Sequence, residues 1–399
     1  MLPGGVARRH NQWFAPRISG DATGPPQFDC NVVASAFHPN ITDAELSSYR
    51  FNHLRRMAYT HDRSCYEEHL DQFSKAFLLR RRSTGGRHYN LHTPKSGGTS
   101  LCQAVLQDGF NSPNGACHNK PGCAAWCCCS LDRPKMECDV LSGKYGRYDF
   151  VGNENYLDHP MCLEDRLYSA TIRNPISRAI SHFEHYLDFV VHHAINGIRE
   201  EYNGKQSIPN QWWGDRHDSQ GETARRINLI QSNYMTWSLI AGLHEEAARY
   251  QAGTGATDLE DAIDVIGNFD FLIGMDKNVS STCTANTLTM MGLKNTTLGH
   301  ETLNLHRGRG EGEDNYQFYY RRDKYAQLND LDVVLYGQVV EFIRADCDFF
   351  AGIVETAAGG SSGLSALQFH NTVSPSAMQI GQLKVKAGGG IVVSGKLGR

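Results

Sequence analysis

The sequence predicts an α/β fold with a central, mostly parallel sheet flanked by helices. Three observations carry this. Short β-like runs alternate with helical patterns between residues 87 and 350. Two of those runs end in turns that open straight into helices, at Thr93–Ser100 and at Arg173–Ser181. The chain of 399 residues, 40% hydrophobic and 21% charged, is long enough to bury both faces of such a sheet.

Residues 1–84 read as an N-terminal extension. Gly24-Pro25-Pro26 punctuates its early part, and Leu46, Tyr49, Leu54, Met57, Phe73, Phe77 and Leu78 recur at loosely helical intervals over 43–82. Arg80-Arg81-Arg82 and Gly85-Gly86 mark the boundary. The main domain covers 85–352, with a Cys-rich insertion at about 111–140. Its strands are expected at His88–Thr93, Tyr148–Gly152, Leu167–Ile172 and Phe269–Gly274. Helices are expected from near Thr99, after Ile172 with Ile176, Ile180, Phe183, Leu187 and Val190 on one face, over 222–248, near 280–292 and around 314–349. From 353 to 399 Gly, Ala and Ser dominate, the composition of a disordered tail.

Charge excludes some partners. The net charge is −4, from 39 Lys+Arg against 43 Asp+Glu, so nothing draws the whole chain to nucleic acid or acidic membranes. No apolar run reaches the length of a membrane span, and Met1–Gly20 lacks the apolar stretch of a secretory signal. That leaves a cytosolic protein or a chain without its targeting segment. The 12 cysteines point instead to an oxidising lumen. Six of them crowd into Cys117, Cys123, Cys127, Cys128, Cys129 and Cys138. Their spacing fits no clean zinc pattern, and disulfides are favoured over metal. Sequons stand at Asn40, Asn278 and Asn295, the pattern of a glycoprotein, although chance alone supplies as many.

The two strand-to-helix turns carry the chemistry. In Thr93-Pro94-Lys95-Ser96-Gly97-Gly98-Thr99-Ser100, a helix N-terminus offers free N–H groups to an anion. Gly97 and Gly98 admit close approach, Thr99 and Ser100 add hydroxyls, and Lys95 adds a mobile charge. In Thr171-Ile172-Arg173-Asn174-Pro175-Ile176-Ser177-Arg178-Ala179-Ile180-Ser181, Pro175 suits the first helical turn and Arg173 can grip a phosphate. Ser181 adds a donor two turns in. Arg178 either joins them or pairs with an acidic neighbour.

The first turn differs from the ATP-type loop, in which Lys follows the glycines. It resembles the 5′-phosphosulfate loop, P-K-[ST]-G-[TG]-[TS], of sulfotransferases that use 3′-phosphoadenosine-5′-phosphosulfate (PAPS). It is closest to the carbohydrate (heparan, chondroitin and uronyl) enzymes of the secretory pathway. The second turn resembles their 3′-phosphate motif, R-[DN]-P-x-x-R-x-x-S. Phe269–Gly274 looks like the family's F-D-F-[IV]-G strand, and Asn329–Tyr336 like its D-x-x-L-Y helix. The resemblance spans about 87–350 and leaves out the extension, the cysteine cluster and the tail.

The resemblance implies a P-loop-containing nucleotide-binding fold, PAPS as donor, no metal, and the Golgi lumen. It implies donor contacts from Pro94, Lys95, Ser96, Gly97, Gly98, Thr99, Ser100, Arg173, Arg178 and Ser181. Lys95 would stabilise the leaving phosphate. The acceptor is expected to be a hydroxyl, on a glycan by resemblance, with a small alcohol or phenol as the alternative. Family bases are Glu or His near the strand after the loop, which ranks Glu154 first and His159 second. Glu154 directly follows the expected strand and so reaches the sheet's ligand-binding edge. His182 and His185 read as packing or surface residues. Arg307, with Arg309, sits in a basic Gly-rich loop that could close over the nucleotide or grip an anionic acceptor, and Asn228 to Asn233 are weaker candidates for the acceptor. The competing functions are a P-loop nucleotide kinase, which would need Lys after the glycines and a carboxylate for magnesium and is disfavoured by the loop order, and a non-catalytic nucleotide-binding module.

Overall fold

The computed structural model describes residues 28–47, 50–113, 128–129, 138–153, 157, 162, 165–181, 233–241, 256–276, 279–298, 326–359, 384–386 and 390–392. The chain divides into residues 1–361 and residues 362–399.

Five helices precede the sheet: α1 (Cys30–Ala36), α2 (Asp43–Leu46), α3 (Arg50–His61), α4 (Arg63–Glu68) and α5 (Leu70–Ser83). Local capping starts three of them. Asp29 accepts from Asn31 N–H, Asp62 from Cys65 N–H, and Thr42 with Glu45 forms a capping box. Then follow β1 (His88–His92), α6 (Gly98–Gln107), β2 (Cys128–Cys129), α7 (Cys138–Tyr145), β3 (Phe150–Asn153) and β4 (Leu167–Ile172). After these come α8 (Tyr234–Ile240), α9 (Ala256–Gly267), β5 (Phe271–Gly274), α10 (Ser281–Met291) and α11 (Asp330–Gly359). Residues 175–181 are also helical.

The five strands of the main sheet are parallel and lie in the order β2-β3-β1-β4-β5. Four are full strands; β2 contributes two residues at the edge. β1, β3 and β4 are buried along their whole length, as a parallel sheet covered on both faces requires. The expected strand at Tyr148 begins at Phe150 instead, because the Asp149 and Phe150 N–H groups both go to the Asn111 carbonyl.

Register decides what each face carries. His88, Asn90 and His92 of β1 stand beside Leu167, Ser169 and Thr171 of β4. Alternating with them, Tyr89 and Leu91 stand beside Tyr168 and Ala170. The second set joins Val151, Ile172 and Leu272 in the main apolar core, which residues of α7, α8, α9 and α11 complete. Apart from Leu167 the first set is a buried polar row, and it ends at the sheet edge on His92 and Thr171.

The helices before β1 are tied to the rest of the domain by buried ion pairs. Arg55 Nη2 donates to Asp346 of α11 at 2.7 Å, and Arg56 grips the same carboxylate at 2.9 and 2.6 Å. Arg56 Nη1 also donates to the Gly267 and Phe269 carbonyls, 2.7 Å each. Arg80 holds Asp270, at the start of β5, at 2.6 and 3.0 Å. All five side chains are buried. Charges this deep persist only because each is paired and hydrogen-bonded. The segment expected as an extension therefore supplies the cations that neutralise two carboxylates of the domain.

Three disulfides join Cys30 to Cys65, Cys138 to Cys162 and Cys283 to Cys347, with Cα separations of 5.8, 5.3 and 4.9 Å. Cys102 is disulfide-bonded as well. Among the described residues no helix is long and apolar enough to cross a membrane. α11 continues seven residues past the expected domain end at 352, to Gly359. In the second unit, β6 (Lys384–Lys386) and β7 (Gly390–Val392) pair antiparallel within the stretch that reads as a tail.

Candidate functional site

β1 and β4 are neighbours, yet the chain leaves them in opposite directions. After β1 it crosses to β2 and β3 on one side; after β4 it crosses to β5 on the other. In open α/β sheets this reversal opens a crevice at the strands' C-terminal ends, where ligands bind. Both turns singled out in the sequence start at that edge.

The first turn is shaped by backbone sterics. Lys95 has φ 67 and Gly97 φ 81, both left-handed. For a side chain as bulky as Lys that costs on the order of 1 kcal/mol. Ser96 N–H closes onto the Thr93 carbonyl at 3.1 Å, and the Ser100 and Leu101 N–H groups onto the Gly97 carbonyl at 3.1 and 3.3 Å. Gly97 is the N-cap of α6 and provides no side-chain cap. Gly98 N–H donates to His92 Nε2 at 3.1 Å. The N–H groups of Gly97 and Thr99 take part in none of these bonds. A Cβ on Gly97 would run into the Met275 side chain, and one on Gly98 into the His92 ring. Lys95 and Thr99 are half-buried; Pro94, Ser96, Gly98 and Ser100 are buried. The Ser96 hydroxyl is buried with no hydrogen-bond partner.

His92 is buried, and burial, aided by the Lys95 charge, pulls its pKa down to about 4. The ring is thus neutral near pH 7, with Nε2 as acceptor and the proton on Nδ1.

The second turn is held from three sides. Asn174 caps the helix that follows, its Oδ1 accepting from the Ile176 and Ser177 N–H groups at 3.1 Å each. Its own N–H donates to Asp276, just past β5, at 2.6 Å. The Tyr336 hydroxyl of α11 donates to the same carboxylate oxygen at 2.8 Å. Asn174 having taken the capping role, Arg173 is free to turn towards the first loop, and its Nη1 donates to the Lys95 carbonyl at 3.0 Å. Arg173 and Ser181 are half-buried. Arg178 is buried with its guanidinium 5.5 Å from the centre of the Tyr234 ring. The carboxyl of Asp332 is pushed up by burial, an effect that the Arg178 charge opposes.

The segment Asn329–Tyr336 supports this edge. Asp332 accepts from the Met235 and Thr236 N–H groups at 2.9 and 2.7 Å and so caps α8. Asn233 spends its carboxamide on the start of α11, accepting from the Leu331 and Asp332 N–H groups at 3.1 Å each. Glu154, His159, Arg307, Arg309, His182, His185 and Asn228 lie outside the described residues, although β3 ends at Asn153, immediately before Glu154. Asn40 and Asn295 of the sequons are exposed; Asn278 lies outside the described residues.

The sequence did not single out His92, Asp276 or Met275. For His92 a signal existed: His88, Asn90 and His92 alternate as polar residues in a strand expected to be buried.

Among the described residues, only Cys30, Cys65 and His69 gather metal-ligating atoms, within 4.8 Å of one another. The two sulfurs are bonded to each other, which removes two of the three ligands. Neither turn contains a carboxylate. The edge thus offers a helix N-terminus, hydroxyls and two cationic side chains, a set suited to a ligand with two anionic groups.

Comparison of the chain with protein-family models, with curated proteins and with solved structures gave no match.

Proposed function

We propose that this chain is a PAPS-dependent sulfotransferase. It would move a sulfuryl group to an acceptor hydroxyl, on a glycan by its resemblance to the carbohydrate enzymes. The observation that carries this reading is the meeting of the two turns on adjacent strands β1 and β4, bridged from Arg173 to Lys95. A nucleotide phosphorylated at both its 5′ and 3′ positions needs two such anion sites.

The residues fit that donor. Gly97 and Gly98 keep the loop backbone free of side chains, and the Ser96 hydroxyl is a buried donor in want of an acceptor. Gly97 and Thr99 N–H with the Thr99 and Ser100 hydroxyls would hold the 5′-phosphate. Arg173 and Ser181 would hold the 3′-phosphate, and Lys95 would face the oxygen that leaves with the phosphate. In transfer, the acceptor oxygen forms a bond to sulfur as the bond from sulfur to the 5′-phosphate oxygen breaks. The hydroxyl proton passes to a base, Glu154 first and His159 second. Positioning and charge stabilisation are the main demands on the protein, as in phosphoryl transfer.

The disulfides suit a Golgi-type lumen, where such enzymes would meet glycans. Calorimetric titration with 3′-phosphoadenosine-5′-phosphate against ATP tests the donor site, and a labelled-PAPS screen across glycans, phenols and alcohols tests transfer. Preference for ATP would make the chain a kinase-type protein. Donor binding without transfer to any acceptor would make it a binding module.

A further inference from the structure

We propose that His92 is the positioning residue of the 93–100 loop: it caps the first turn of α6 from below and so leaves the loop's remaining amides to the ligand. This rests on the reading that the loop holds the donor's 5′-phosphate.

The first four N–H groups of a helix need partners, and an N-cap Ser, Thr, Asp or Asn normally supplies one. Here the N-cap is Gly97, left-handed and without a side chain. A side chain at that position would collide with Met275. An Asp there would also set a negative charge in the seat of an anion. His92 meets the need from the end of β1, where its Nε2 accepts the Gly98 N–H at 3.1 Å. Being neutral, it repels neither the anion nor Lys95.

The fit is tight on both sides. The ring lies where a Cβ of residue 98 would be, so glycine is the residue that brings this N–H within reach. His92 is also in register with Thr171, two residues before Arg173, so the ring stands where the two turns meet. A capped, preformed turn lets phosphate bind without first ordering the loop.

The test compares His92→Gln, whose amide oxygen can take the place of Nε2, with His92→Leu, which fills the space without an acceptor. Titration with 3′-phosphoadenosine-5′-phosphate should show roughly tenfold weaker binding in His92→Leu and less than about threefold in His92→Gln. KM for PAPS should rise with kcat little changed, since His92 does not touch the reacting atoms. Equal affinity in wild type and His92→Leu would overturn the positioning role and leave the sulfotransferase reading standing. No binding to the wild type would overturn both. Should His92→Leu fail to fold, nitrogen NMR of the wild-type ring still decides: a proton on Nδ1 supports the inference, and a proton on Nε2 overturns it.

Discussion

Arg173 Nη1 donates to the Lys95 carbonyl at 3.0 Å, and this one bond makes a single wall of two strand-to-helix turns 78 residues apart. Lys95 itself sits in the left-handed region, with φ 67. The two residues have separable roles. Arg173→Ala should weaken binding of 3′-phosphoadenosine-5′-phosphate by about 10- to 100-fold, since it removes charge-assisted hydrogen bonds. Lys95→Ala should abolish transfer while much of the donor affinity remains. Near-normal turnover in Lys95→Ala would remove the leaving-group role from that residue.

The second turn depends on α11 through Asp276. Tyr336→Phe deletes the hydroxyl that donates to this carboxylate at 2.8 Å and leaves the Asn174 N–H as its remaining partner here. The cost in stability should be about 1 kcal/mol. Because Asn174 sits beside Arg173, nucleotide affinity should fall as well. Urea unfolding and titration read the two effects separately. A loss of stability with affinity intact would show that α11 supports the fold alone.

Removing the helices before β1 should be far more damaging. A chain beginning at residue 85 lacks Arg55, Arg56 and Arg80, and it leaves Asp270 and Asp346 buried without those cations. Breaking one buried pair costs about 3–5 kcal/mol, and total stability is of order 5–15 kcal/mol. The truncated chain should therefore show no cooperative unfolding transition in circular dichroism. Asp346→Ala in the full chain should lower stability by an amount in the same single-pair range. A folded, cooperative 85–399 fragment would refute this.

Stability should fall in mild acid. His53, His88 and His92 are buried, and burial holds each at about 4; the Arg56 charge adds to this for His53 and the Lys95 charge for His92. In the unfolded chain histidine titrates near about 6.5. Below that pH the unfolded state gains up to three protons that the folded state refuses. The contribution is whole above about pH 6.5, is lost progressively towards pH 4, and levels off once the folded-state histidines charge too. Urea midpoints measured at about pH 7, 6 and 5 should decline at each step. A flat profile would mean that these histidines are not held neutral.

Local pattern was legible. β4 is the span Leu167–Ile172 that its apolar run indicates, and β1 differs from expectation by one residue. Both strand-to-helix turns were visible because glycine, proline and an asparagine cap leave marks within a few residues. The arginines of α3 and α5 carried no such mark. Arg55, Arg56 and Arg80 are ordinary polar residues by composition, and each is buried by a carboxylate between 190 and 291 residues away.

From the amino-acid order alone follow the alternation of strands and helices, the two strand-to-helix turns and the cationic residues within them, because each depends on backbone geometry over about ten residues. Tertiary structure decided the rest: the strand order that sets β1 beside β4, the hydrogen bond from Arg173 to Lys95, the cap that His92 gives α6, and the stacking of Arg178 over Tyr234. These relationships join residues far apart in the chain. They exist only once burial removes water as the competing partner and makes an unpaired polar group costly.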